Sequence, residues 1–104
     1  MHATQPPTRQ PSASALIDAL IGDDTELRAM VRREVVNSEI SSMIYEAREA
    51  ARLTQKQLAV RIGTTQSVIS RLESADYDGH SLDMLRRIAE ALGRKLELRF
   101  SQVA

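Results

Sequence analysis

Gln66, Ser67, Ser70 and Arg71 carry the most usable chemistry in this chain. At positions i, i+1, i+4 and i+5 they share one face of a helix, and they offer amide, hydroxyl and guanidinium groups. A glutamine amide can bond an adenine edge through two atoms and an arginine can do the same with guanine, each worth about 1–3 kcal/mol of discrimination. Upstream, Gln55 and Lys56 open an earlier apolar-periodic run, where a helix N-terminus and side-chain donors suit a phosphate oxygen. The set implies a surface that reads duplex DNA. Arg52, Lys56 and Arg61 are weaker phosphate candidates than Gln55, and for each of them a solvated surface accounts for the residue type at least as well. Nothing comparable points to catalysis. His2 falls in a proline-rich tail, His80 in a polar loop, and Ser67 and Ser70 have no accompanying base. No glycine-rich phosphate loop is present either. The chain is expected not to be an enzyme.

Two short helices and a tight turn must position that surface. Thr54 is a fitting N-cap, with Gln57 three residues later at capping-box spacing. Leu58, Ala59 and Ile62 then give one apolar face at helical period. Gly63 follows, where a positive φ costs glycine least. Thr64 or Thr65 caps the next helix, and Val68, Ile69 and Leu72 form its inward stripe. Ala59 is small, as a residue must be where two helices cross closely. A generic helical hairpin would explain the period alone; it would not explain cap, small residue, glycine and polar outer face together.

Composition bounds the rest. The chain has 104 residues, enough for one domain with a modest core, and its three aromatics leave that core to Leu, Ile, Val, Ala and Met. It contains no cysteine, which excludes disulfides and thiolate metal sites and suits a reducing cytoplasm. No cofactor or metal is expected. No apolar run approaches membrane-spanning length, and the N-terminus lacks the charged-then-apolar order of a secretory signal. Net charge is zero, yet Arg52, Lys56, Arg61 and Arg71 fall between residues 52 and 72 with no Asp or Glu among them. The basic charge thus sits on the proposed recognition unit.

Residues 1–13 hold all three prolines and read as a disordered tail. Residues 14–36 read as a helical extension. A short helix spans Ser14 to Ile21 with Gly22 as its stop, and Asp23 or Asp24 caps a second one carrying Leu27, Met30, Val31 and Val35. Another apolar series runs from Val36 through Ile40, Met43, Ile44 and Ala47 to Ala51, with Leu53 ending its helix. Asn37-Ser38 suits either a new cap or the interior of one long helix. Residues 37–93 form the DNA-binding domain, closed by a helix that Ser81 caps and Gly93 ends. In residues 94–104 the period changes. Lys95 to Phe100 alternates strictly and places Leu96, Leu98 and Phe100 on one face, the pattern of a half-buried strand. A lone strand needs a partner for its ladder, and the simplest is the same strand of a second copy across a two-fold axis. A tail packed on the helices is the alternative.

From about Ile40 to Phe100 the chain resembles the Xre/Cro-type helix-turn-helix family. The residues that carry the resemblance are 53–59 (LTQKQLA), 62–73 (IGTTQSVISRLE) and 85–93 (LRRIAEALG). The resemblance implies an all-α, lambda-repressor-like helix-turn-helix bundle. It also implies that Gln66, Ser67 and Arg71 face bases with Ser70 beside them, and that Arg48 pairs with Glu73 as a structural ion pair. The segment from Leu27 to Ala51 and the ending 93–100 (GRKLELRF) resemble HigA-type antitoxins in particular. Such antitoxins repress their own operon as dimers and neutralise a RelE/HigB-like ribonuclease toxin. The loop Ser74 to His80 departs from the common pattern, because Asp76 and Asp78 stand where relatives approach the DNA backbone. Tyr77 within it is either a packed or a DNA-facing aromatic, and packing is preferred.

These readings give an expected protein: a cytoplasmic homodimer that binds operator DNA and a small toxin. Leu16, Leu20, Leu27, Met30 and Val31 are the expected partner-binding residues, and Leu96, Leu98 and Phe100 the dimerisation residues. A stand-alone repressor with no toxin partner is the alternative. The extension then serves as an extra core or dimer helix.

Overall fold

The computed structural model describes residue 15 and residues 19–102. Four helices carry the architecture: α1 (Thr25–Ala50), α2 (Gln55–Ile62), α3 (Gln66–Leu72) and α4 (Leu82–Ala91). Each begins at a residue whose side-chain oxygen accepts a backbone N–H in the first turn, these being Asp24, Thr54, Thr65 and Ser81. At Thr54 the cap is reciprocal: its hydroxyl oxygen accepts from Gln57 N (3.0 Å) and the Gln57 amide oxygen accepts from Thr54 N (2.8 Å). Such caps satisfy the donors that a helix start leaves open, each for about 1 kcal/mol. Thr65, not Thr64, caps α3.

α2 packs against both α3 and α4. Its buried residues Leu58, Ala59 and Ile62 meet Ile69 and Leu72 from α3 and Leu85 and Ile88 from α4, and α1 contributes Ile44. Leu58 and Ile69 are fully enclosed. The α2–α3 turn is made by Gly63 at φ 75°, with Thr64 N–H returning to Ala59 O (2.9 Å). An Arg87 Nη2 donor also reaches Ile62 O, so α4 helps close the end of α2.

α1 is one continuous helix of 26 residues, about 39 Å at the usual rise. Asn37 and Ser38 lie in its interior, so the expected boundary at residues 36–37 falls inside the helix. It ends at Ala50 rather than Leu53, with Arg52 at φ 59° turning the chain toward α2. Its buried residues, Ser41, Ile44 and Arg48, all lie in the C-terminal half. The N-terminal half has none. Ahead of α1, residues 19–21 are helical and Gly22 has φ 66°, where the sequence placed a short helix and its stop.

The expected C-terminal strand is absent. Residues 94–102 carry no regular secondary structure, and no strand occurs among the described residues. The reason is the one that made a lone strand problematic: no second strand of the same chain offers a ladder to its backbone groups. Of the expected dimerisation residues, Leu96 packs half-buried against its own core, whereas Leu98 and Phe100 are exposed. No helix among the described residues is long and apolar enough to cross a membrane.

A side chain at position 63 must adopt a left-handed backbone, although a Cβ there has room, its nearest neighbour being Arg87 Nη2 at 3.9 Å. Gly63→Ala is therefore expected to lower unfolding free energy by about 1–2 kcal/mol through backbone strain alone. Urea denaturation followed by helical circular dichroism measures it, and an unchanged midpoint would remove the turn argument.

Candidate nucleic-acid interface

The inward side of α3 is fixed by Ile69 and Leu72, with Val68 half-buried beside them. That leaves Gln66, Ser67, Ser70 and Arg71 exposed on the opposite side. Together with Ser74, which sequence reasoning did not single out, they line one shallow polar hollow. The helix is 7 residues long, about 10 Å, and a DNA major groove is about 12 Å wide. The four side chains expected at the DNA are thus brought together on one exposed helix face.

Gln55 sits at the first position of α2, half-buried, and its amide Nε2 donates to Glu73 Oε1 (3.1 Å). One amide hydrogen and the amide oxygen remain for another group. Lys56 is exposed beside it, as is Arg52. Arg61 points elsewhere: its Nη1 donates to Ala91 O (3.3 Å) at the end of α4, a structural use rather than a phosphate contact.

Glu73 organises this region. Arg48 donates to both of its oxygens, from Nε at 2.6 Å and Nη2 at 2.9 Å, with both side chains almost completely buried. Arg48 also donates to Leu53 O (2.7 Å) and approaches Glu49 at 3.8 Å. The hydrogen bond that Arg48 donates to Glu73 holds the Arg48 pKa above its ordinary value and outweighs the effect of burial, so the guanidinium stays charged. The ion pair implied by the family resemblance is present, and it joins α1 to the end of α3.

A second joint has no sequence signal, because its members are up to 39 residues apart. Ser41 Oγ donates to Ser74 O (2.7 Å), and His80 Nε2 lies 2.8 Å from Leu72 O. The serine's single hydrogen is committed, so His80 Nε2 carries the proton and donates to Leu72 O, the carbonyl ending α3. His80 Nδ1 is buried with no partner among the described residues. The Tyr77 ring stands edge-on to His80 at 5.0 Å and packs on the core, which settles its role as packing. A Cβ at Gly79 would lie 2.5 Å from the Tyr77 hydroxyl, so the loop needs glycine there for close approach. Asp76 is exposed and accepts from Ser74 Oγ at 2.5 Å, while Asp78 is exposed. The loop therefore presents carboxylates, not cations.

Of the expected partner-binding residues, Leu16 lies outside the described residues. Leu20, Leu27 and Met30 are exposed and Val31 is half-buried. No group of His, Cys, Asp or Glu that could hold a metal occurs among the described residues.

Residues 44–98 match the family model described as Helix-turn-helix. The chain belongs to the helix-turn-helix family. It is also similar to an uncharacterized HTH-type transcriptional regulator of Methanothermobacter thermautotrophicus, with 44% identity over 54 residues that cover 52% of this chain and 77% of the relative. No solved structure matches the chain. The family match begins at Ile44, so most of α1 lies outside it.

Removing one member of the Glu73 pair leaves a buried charge without its counter-ion. Arg48→Ala is expected to cost about 3–5 kcal/mol of stability. Thermal melts of the variant test this, and a shift of only a degree or two would show that the pair is dispensable.

Proposed function

We propose that this protein is a sequence-specific DNA-binding transcriptional regulator. The observation that carries the reading is the exposed row Gln66, Ser67, Ser70 and Arg71 on a short helix held from behind by buried Ile69 and Leu72. Membership of the helix-turn-helix family and the regulator-like relative support it. In this mechanism α3 enters the major groove, Gln66 and Arg71 bond base edges, and Ser67 and Ser70 complete the reading surface. Gln55 and Lys56 hold phosphates at the start of α2, which fixes the register without carrying sequence information. The role is binding rather than catalysis, and the location is cytoplasmic.

The proposed assembly is a homodimer on a palindromic operator, with recognition helices about 34 Å apart. Exposed Leu98 and Phe100 support it, because apolar side chains left in water are available to a second copy. Pairing of the 95–100 segments across the two-fold axis would supply the ladder that a single chain lacks.

A finer reading makes the protein an antitoxin that represses its own operon and neutralises a RelE/HigB-like ribonuclease toxin. What favours it is the N-terminal half of α1, which carries Leu27, Met30 and Val36 into solvent with no buried residue. Apolar side chains offered to solvent by a helix can dock into a partner's groove. A stand-alone regulator fits the remaining observations equally well. Co-purification with the product of the adjacent gene separates the two readings. Deleting residues 1–36 is expected to abolish neutralisation and spare operator binding, and a truncated chain that still neutralises would refute the docking role.

With four to six phosphates engaged, log affinity should fall against log salt with a slope of about −4 to −5. Arg71→Ala is expected to relax base preference at one position per half-site, at a cost of about 1–3 kcal/mol. Selection of bound duplexes from a random pool measures this, and an unaltered binding motif would contradict the assignment of Arg71.

A further inference from the structure

Tyr45 is a large aromatic left half exposed on α1, one turn before Arg48. Its ring covers the Arg48 guanidinium, whose Cζ lies 5.4 Å from the ring centroid. Arg48 is itself locked by Glu73, and Glu73 also accepts from the Gln55 amide. Gln55 directly and Tyr45 through Arg48 are therefore gathered at the carboxylate that ends α3, at the margin of the proposed DNA surface. The buried stripe of α1 runs through Ser41, Ile44 and Arg48, so Tyr45 does not fill the core. Its hydroxyl has no hydrogen-bond partner among the described residues.

The geometry points to Tyr45 as a further DNA-backbone contact, its hydroxyl donating to a phosphate oxygen beside the phosphate held by Gln55. This rests on the DNA-binding reading above and extends it to α1. Three features support the assignment. A phenol is a neutral donor suited to phosphate and occurs among backbone-contacting side chains in protein–DNA complexes. Arg48 holds the ring by cation–π attraction, so less side-chain freedom is lost when DNA binds. Arg48 itself is occupied by Glu73, Glu49 and Leu53 O, which leaves Tyr45, beside Gln55, as an exposed donor of this cluster. Of the nearby carboxylates, buried Glu73 is neutralised by Arg48, Glu49 lies 3.8 Å from Arg48 with its side chain half exposed, and Glu46 is exposed beside Tyr45, so the hydroxyl's contact is a neutral one made against some local negative charge. Tyr45 is a positioning residue: a phosphate contact sets register and contributes affinity, and it reads no base.

Tyr45→Phe keeps the ring over Arg48 and removes only the hydroxyl, which separates contact from packing. The probe is a mixed-sequence duplex at low salt, together with the duplex that the unsubstituted chain selects from a random pool. The variant is expected to melt with the unsubstituted chain and to bind both duplexes roughly 10-fold more weakly, with its selected motif unchanged. Placing a neutral methylphosphonate at the contacted phosphate should erase the difference between the two proteins. Equal affinities of variant and unsubstituted chain would overturn the contact while leaving the DNA reading intact. A lower melting temperature that accounts for the weaker binding would also overturn it, in favour of a packing role. Failure of the unsubstituted chain to bind either duplex would overturn the DNA reading, and this contact with it.

Discussion

Burying Arg48 against Glu73 takes two opposite charges out of water, and such a pair persists only if nearly every donor and acceptor around it is matched. Here the matching is supplied by parts of the chain that are distant in sequence. Glu73 ends α3, Arg48 belongs to α1, Leu53 O lies in the connection to α2, and Gln55 opens α2. The register of α1 on the domain, the angle of the α1–α2 turn and the placement of Gln55 are thereby set together. The polar surface of α3 inherits that precision, since Glu73 is the residue after its last turn. The small apolar core, which includes Ile44 of α1, supplies the bulk of the burial, and the bidentate pair adds a directional constraint on that helix.

A second consequence concerns α1 itself. Its C-terminal half belongs to the domain through Ser41, Ile44 and Arg48, and its N-terminal half extends beyond it with no buried residue. The same element therefore carries apolar side chains offered to solvent and abuts the end of α3. Ser41 and His80 fasten that junction, one donating to Ser74 O and the other to Leu72 O. Leu72 O is among the carbonyls a helix end leaves open, so His80 does for the C-terminus of α3 what Thr65 does for its start, while Ser41 ties down the residue just past that end.

Much of this was legible in the sequence because the signals were local. Thr54 with Gln57, Gly63, Thr65 and Ser81 each act within one turn of chain, and the inward stripes of α2, α3 and α4 follow from helical period. The Arg48–Glu73 pair was reached only through family resemblance, since no periodicity links two residues on separate helices. The Ser41–His80 joint was missed for the same reason, and Ser74 was overlooked because it lies past the end of α3. At Asn37-Ser38 both residue types serve as caps, yet they are tolerated inside a helix when its neighbours propagate it, so the sequence could not choose. Alternation from Lys95 to Phe100 describes which residues share a face; it does not supply the hydrogen-bonding partner that turns an extended segment into a strand. Leu96 consequently packs on its own chain, and Leu98 and Phe100 remain in water.

The account stands on the outward side of α3 as the surface that meets duplex DNA. Amide and side-chain NMR spectra of the labelled protein, titrated with a duplex from the promoter of its own gene, test that surface residue by residue. The largest shifts are expected at Gln66, Ser67, Ser70 and Arg71, with Gln55 and Lys56 following at the start of α2. If the duplex bound while those residues kept their resonances and another face moved, the assignment of α3 would be wrong.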